Sequence, residues 1–430
     1  MRYQQCLLVA AFAGALAVSC RKDADSTPPT VRITSPGAGY SVGIPDTITV
    51  GVAVSDDRAV KSVTVLIADV DGVPIAAAVQ ASVNARSKEF SVDLPVTSER
   101  IVSGQYVLTA IASDGTNSAS DFLSIAVQAA PLRIRSMFLV PPSDVSGPYT
   151  ISRVDSLGAI SPFVVVPELS HASIGLDHLF TAGTSSQPFE RRRITTGAVQ
   201  ALMPNPGLWP RYFTGVSKDL RDGRIYVCGA DGALRGYTAD GASSFSATLP
   251  SGYSGDAVAA IGDAILCSAH DPVAQQSKLM RLGASSGSVL AQFNSDARAI
   301  ALFEIDAQRL ILFGNTATGG VIQEVNASLG GTFTMRSFPG EQLQCVARVS
   351  QNLYSLGFGS GIKRFDYPST ATTTLMTGIE VRGLTYDPVS GAVLASSGSS
   401  ITAFDPTLGT VVSVQIAPHP VAYVLLQTNR

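Results

Sequence analysis

Charge is what this chain has least of. Asp, Glu, Lys and Arg together make up 15% of its 430 residues and leave a net charge of only −3. No basic stripe interrupts that balance, which argues against a nucleic-acid partner, since phosphate contacts need clustered Lys and Arg. Helical periodicity is missing too: Lys, Glu and Leu never recur at i, i+3, i+4 over a useful length. The four histidines, His171, His178, His270 and His419, lie far apart with no metal-ligand spacing. Beyond the N-terminal region only Cys228, Cys267 and Cys345 remain. An odd number without short spacing is neither a disulfide framework nor a zinc site, and the three read as small apolar strand residues. There is no P-loop, no G-x-S-x-G turn and no setting for a catalytic cysteine. Neither a metal nor a cofactor is expected.

What is present points to strands and turns. Hydrophobic residues reach 45%, which argues against disorder, and 39 glycines and 24 prolines are spread along the chain. An all-β protein is expected.

The N-terminus carries an address. "MRYQQCLLVAAFAGALAVSC" has Arg2 in a polar start and an apolar run from Cys6 to Val18. That run is too short for a membrane span of about 20 residues but suits a signal peptide. Cys20 follows, then the charged segment Arg21, Lys22, Asp23 and Asp25. The pattern resembles a bacterial lipoprotein signal, which implies removal of residues 1–19, lipidation of Cys20 and a polar tether over 20–29. It departs in having Ala17, not Leu, three places before the cysteine. Cleavage after Ala15-Leu16-Ala17, releasing a secreted protein, is the other reading. The charged start also resembles the export tags of Bacteroidota surface lipoproteins, which implies the outer membrane and surface exposure.

Residues 30–129 hold strand-like runs at short intervals, among them "DTITVGVAVSDD", "VKSVTVLIAD" and "GQYVLTAIASDG". Several alternate apolar and polar residues, as half-buried strands do. Six or seven such strands predict a two-sheet sandwich. "PPTVRITSP", "VAVSDDRAVKSVTV" and "SGQYVLTAIASDG" resemble bacterial immunoglobulin-like domains, a likeness that implies a spacer and gives Tyr106 the role of pinning a corner through its hydroxyl. Asp56, Asp57, Asp69 and Asp71 could bind Ca²⁺ through oxygen ligands, or serve turns.

Residues 131–430 contain an internal repeat. "HLFTAG", "RIYVCGA", "AILCSA", "RLILFGN", "NLYSLGFG" and "AVLASSG" are each followed by a polar loop and a second strand. Aligned on Phe180, Tyr226, Ile265, Ile311, Tyr354 and Val393, the units are spaced 46, 39, 46, 43 and 39 residues apart, and Met137 lies 43 before Phe180. A unit of this length with four short strands is a β-propeller blade. The segment around Met137 lacks an innermost strand, and the C-terminal "VAYVLLQ" is expected to supply it, closing a ring of seven blades. Repeats such as "RGLTYDPVSGAVLASSGSSITAFDPTLGTVV" resemble YVTN and NHL propellers. With one tryptophan in the chain, the tryptophan-docking motif of quinoprotein dehydrogenases is absent, as are the Gly-His and Trp-Asp marks of WD40 repeats.

The alignment places Ala172, Thr214, Asp256, Arg298, Gln344 and Arg382 at one level of the innermost strands. Asp256, Arg298, Gln344 and Arg382 would then ring a channel mouth where arginine forks could take carboxylate or sugar oxygens; alternatively, Asp256 simply pairs with Arg298. The loop "MPNPGLWPRYFTG" offers Trp209, Arg211, Tyr212 and Phe213 as a sugar or protein platform, or as an apolar plug. His270 and Asp271 sit on another long loop of that face. Arg153, Arg193, Arg281 and Arg364 share one column, where long stems pack between blades while the heads reach water. "ERRR" at 190–193 reads the same way. Cys228 and Cys267 also share a column, so they are expected not to face each other. His171 and His419 fall on loops of adjacent blades and could supply an acid and a base.

The sequence therefore describes a lipid-anchored envelope protein whose propeller recognises a glycan or a protein partner without catalysis. A propeller lyase or hydrolase acting on an anionic saccharide or peptide is the enzymatic alternative, and a structural scaffold of a surface complex is the third.

Overall fold

The computed structural model describes residues 25–144, 147–155 and 157–430; the signal segment and Cys20 lie outside the described residues. These form two compact units, one ending at Pro131 and joined by Arg430, the other spanning Leu132–Asn429. No described helix is long and apolar enough to cross a membrane.

The first unit is six strands hydrogen-bonded into one connected sheet. Its long strand Asp46–Ala68 serves two layers. The first half pairs with Thr30–Ser35 and with residues 96–87, while the second half pairs with residues 85–79 of that same strand and with Gly104–Ser113. The register breaks between Ser55 and Ser62, so the sandwich expected from the sequence is built by strands that pass from one layer to the other. Alternating residues from both halves, Ile48, Val50 and Val52 with Val63, Val65 and Ile67, meet Leu94, Leu108 and Ile125 in one core. Tyr106 is buried, and its hydroxyl donates to the Val102 carbonyl at 3.0 Å, pinning the corner.

The second unit contains, among the described residues, seven four-stranded antiparallel sheets. We number the blades 1 to 7 in chain order and their strands from the channel outwards. The innermost strands are Tyr423–Thr428, His171–Ile174, Phe213–Lys218, Ser254–Ile261, Arg298–Glu304, Leu343–Arg348 and Gly383–Tyr386. Each touches the next around the ring, and blade 7 meets blade 1 through the C-terminal strand. The chain is an all-β protein with an Ig-like domain and a seven-bladed propeller.

Ring closure is specific. Leu425 lies opposite Phe138 and Val424 opposite Leu139, nearly the whole propeller apart in sequence. Tyr423 reaches blade 2, where its hydroxyl accepts from the Ala172 amide (2.6 Å) and donates to the Ala172 carbonyl (3.2 Å). On the other side, the Thr385 and Ser396 hydroxyls of blade 7 donate to the Val424 and Ala422 carbonyls.

The second strands are buried on both faces, because a neighbouring blade covers each side; His178–Ala182 and Ile225–Gly229 have no exposed residue. Their side chains therefore alternate between the preceding and the following blade. Phe180 and Tyr226 face the following blade, but Ile265, Tyr354 and Val393 face the preceding one. Alignment of the repeats had hidden slips of one residue, and one residue flips a side chain to the opposite face. The slip corrects one expectation: Cys228 of blade 3 and Cys267 of blade 4 point at each other within a shared core.

Candidate functional site at the channel mouth

The residues expected at the mouth come from the first turn of each innermost strand, and several sit on bulges. Thr214, Asp256 and Gln344 are each the unpaired extra residue between strand partners. In blade 5 the extra residue is Ile300, so Arg298 stands two places earlier than a strict equivalence demands. A bulge re-aims its side chain, which turns Asp256 toward the neighbouring blade.

Asp256 and Arg298 pair, Arg298 Nη2 donating to Asp256 Oδ1 at 2.6 Å. The pair is lopsided: the Asp256 side chain is 6% exposed and that of Arg298 55%. Asp256 Oδ2 is buried with no hydrogen-bond partner among the described residues. Burial raises the Asp256 pKa above its ordinary value, outweighing the nearby guanidinium. Arg382 is held by Asp144 at 3.2 Å and approaches Glu380 at 3.8 Å. Gln344 is exposed. Thr214 donates to the Gly255 carbonyl at 2.6 Å, and Ala172 holds Tyr423, so these two positions bind blade to blade.

The aromatic loop packs inward. Tyr212 is 3% exposed and donates to Asp231 Oδ2 at 3.0 Å, with burial raising its pKa. Trp209 is half-buried beside it, ring centroids 5.5 Å apart, against the core between blades 2 and 3. Phe213 is fully buried, and Arg211 donates to the Ser170 carbonyl at 3.2 Å. These side chains form a plug between blades, and Arg211 alone of the four is exposed.

The two histidines considered as an acid–base pair are not joined. His171 keeps some water contact but is enclosed by protein; burial, aided by Arg211, lowers its pKa to about 3, and Nδ1 lies 3.2 Å from Ser170 Oγ. His419 instead reaches Ser152 Oγ of the third strand of blade 1, at 3.4 Å. His270 lies 3.1 Å from Ser277 Oγ, while Asp271 accepts from the Val273 and Ala274 amides and so shapes its turn. The arginine column has mixed partners: Arg281 approaches Asp263 at 3.6 Å, and Arg364 binds Asp366 and the Thr407 carbonyl of the next blade.

In the Ig-like unit, Asp69 accepts from the Asp71 and Val73 amides, the turn role. Asp56 stands instead with Asp25 and Asp114, one oxygen of each within 4.8 Å of the others. There Arg58 approaches Asp25 at 3.5 Å and the Thr116 and Asn117 amides occupy Asp114.

Sequence reasoning missed Glu168. Its carboxylate accepts from the amides of Thr184, Ser185, Ser186 and Gln187, at 3.1, 2.8, 2.9 and 3.2 Å, and from three hydroxyls of the same loop. Burial opposes its ionisation, yet the Ser186 and Ser185 hydrogen bonds win and hold its pKa well below the usual range. The small polar run "GTSSQ" was the available signal, since only such a loop can wrap so many donors around one carboxylate.

Comparison with known proteins places a family within the first unit. Residues 29–118 match the bacterial Ig domain family. No curated protein matches the chain. Among solved structures, a quinonprotein alcohol dehydrogenase-like protein from Bacteroides thetaiotaomicron is 12% identical, with 94% of this chain and 100% of that one covered and a TM-score of 0.46. BamB from Moraxella catarrhalis is 16% identical over 58% and 76%, with a TM-score of 0.40. A chain of the mitotic checkpoint complex is 15% identical over 60% and 83%, with a TM-score of 0.49.

Proposed function

We propose that this is a lipoprotein of the bacterial outer membrane, anchored through Cys20 and surface-exposed, whose propeller recognises a partner protein. The observation that carries the partner is the outermost strand of blade 7. Val411, Val412, Val414 and Ile416 of the strand Val411–Ile416 are 51%, 67%, 56% and 68% exposed, Val412 being the extra residue of a bulge. Gln415, on the opposite face, donates to the Gly158 carbonyl of blade 1 at 3.0 Å. Among the described residues the strand pairs on one side only, with Ser400–Phe404, which leaves its outer backbone groups open to another chain. An open, apolar edge suits an extended segment of a partner, whose backbone extends the sheet while its side chains cover the valine stripe. The role requires no catalysis.

A photoreactive residue at Val412, in cells producing the chain, tests this. A discrete adduct that is absent when the same residue replaces Thr373 of blade 6, and absent when Val414 and Ile416 become Lys, supports the reading. No adduct, or an adduct with a second copy of the chain, overturns it. Cys20→Ser tests the anchor separately: the variant should leave the membrane fraction. The glycan reading keeps one foothold, the exposed Gln344 and the half-exposed Arg298 on innermost strands of neighbouring blades. Loss of polysaccharide binding in Arg298→Ala/Arg382→Ala would move the site to the mouth.

A further inference from the structure

The channel has a second end, where the innermost strands finish, and it is built differently from the first. Lys218 ends the strand of blade 3, Glu304 that of blade 5 and Arg348 that of blade 6. Together with Arg221, Asp219 and Phe303 they line a pocket of about 310 Å³, a volume that includes the solvent at its open side.

Its charges do not cancel locally. Asp219 accepts from the Arg221 amide at 2.8 Å and the Ala260 amide at 3.2 Å. Glu304 binds Arg221 at 3.3 Å, so Arg221 and both acids satisfy one another. That leaves Lys218 and Arg348. Arg348 donates only to the Ser350 carbonyl, at 3.3 Å, and Lys218 has no hydrogen-bond or ion-pair partner among the described residues. Lys218 is exposed at the pocket's open side, and the protein packed around it lowers its pKa by desolvation with no charge opposing the shift. The pocket's two carboxylates, Asp219 and Glu304, are taken up by Arg221 and by backbone amides, and the two cations left over, from blades on opposite sides of the ring, are a site for an anion.

We propose that this end of the channel binds the carboxylate or phosphate group of a small ligand between Lys218 and Arg348. Phe303 and Leu302 give the remainder of the ligand an apolar wall. The oxyanion takes the place of the missing carboxylate: it accepts from the ammonium and the guanidinium and holds Lys218 in its charged form. The site is independent of the blade 7 edge.

The test uses the full chain in detergent, with inorganic phosphate and acetate as separate probes. A limiting amine-acylating reagent should modify Lys218 in the free protein, because it is exposed and its lowered pKa favours it over ordinary lysines. Either anion should protect Lys218 several-fold, with no change at Lys61 or Lys88. It should also raise the thermal midpoint. Lys218→Met should abolish that rise and Lys218→Arg should keep it. Phosphate also stabilises proteins by exclusion from their surface. A rise that persists in Lys218→Met therefore overturns the proposal, as does failure of both anions to protect Lys218.

Discussion

The sulfurs of Cys228 and Cys267 meet at Gly255. A Cβ built on that glycine would lie 2.6 Å from one Sγ and 3.0 Å from the other, and 3.1 Å from Cys228 Cβ. The thiol pair and the bare backbone of the blade 4 strand thus fill one space between blades 3 and 4. The hydrogen bond that the Cys228 thiol donates to Cys267, and burial after it, raise the Cys228 pKa well above the thiol range.

Gly255→Ala should therefore be costly although the new side chain is a single methyl. Neither sulfur has room to retreat in a core this closely packed, and overpacking of this kind costs about 1–3 kcal/mol. Urea denaturation checks it, with Gly331→Ala as the control, since a Cβ there meets nothing within 4 Å. Equal stability of the two variants would show that the thiols part easily.

Asp256 and Arg298 should respond to substitution with opposite signs. Arg298→Ala strips a buried carboxylate of its one partner and should lose about 1–3 kcal/mol. Asp256→Asn removes the buried charge and leaves Arg298, half in water, little affected. At pH 7 it should match or exceed the parent by up to about 1 kcal/mol, a shift of roughly 2–4 °C. The native state raises the Asp256 pKa above 3.8, so its stabilising contribution is present below that value and lost as the pH rises through the folded pKa. The parent should close the gap as the solution is acidified. Parallel losses in both variants would sink this account.

The architecture was legible because it rests on repetition. Anchors 39 to 46 residues apart, small-residue turns and an incomplete first blade were enough to place seven sheets and a terminal strand. What the sequence concealed was phase. A strand buried on both faces carries apolar residues at every position, so nothing in "YVCG" against "ILCS" tells which of them looks forward. The meeting of Cys228 with Cys267 depended on that single residue of phase. The mouth suffered in another way: bulges at Thr214, Asp256 and Gln344 shift the frame, and Trp209 and Tyr212 read the same whether exposed or buried. Lys218 and Arg348 lie 130 positions apart and carry no motif; only closure of the ring faces them toward one pocket.

Glu168 makes the loop 184–187 dependent on acid. The lowered pKa means that its contribution is present above the ordinary value of 4.5 and fades as the pH falls below it, the opposite of Asp256. Glu168→Gln keeps the size but loses the charge that four amides and three hydroxyls converge on. Charge-assisted bonds are about twice as strong as neutral ones, and with the carboxylate half-exposed the loss should be about 1–2 kcal/mol at pH 7. Amide hydrogen exchange at Ser185 and Ser186 should quicken in the variant, because those donors hold no other acceptor in the loop. At pH 3 the parent should move toward the variant in both stability and exchange, losing stability, while the parent gains on the Asp256→Asn variant over the same range. A Glu168→Gln protein as stable as the parent at pH 7, with unchanged exchange at Ser186, would show that the hydroxyls and amides order the loop without the carboxylate's charge.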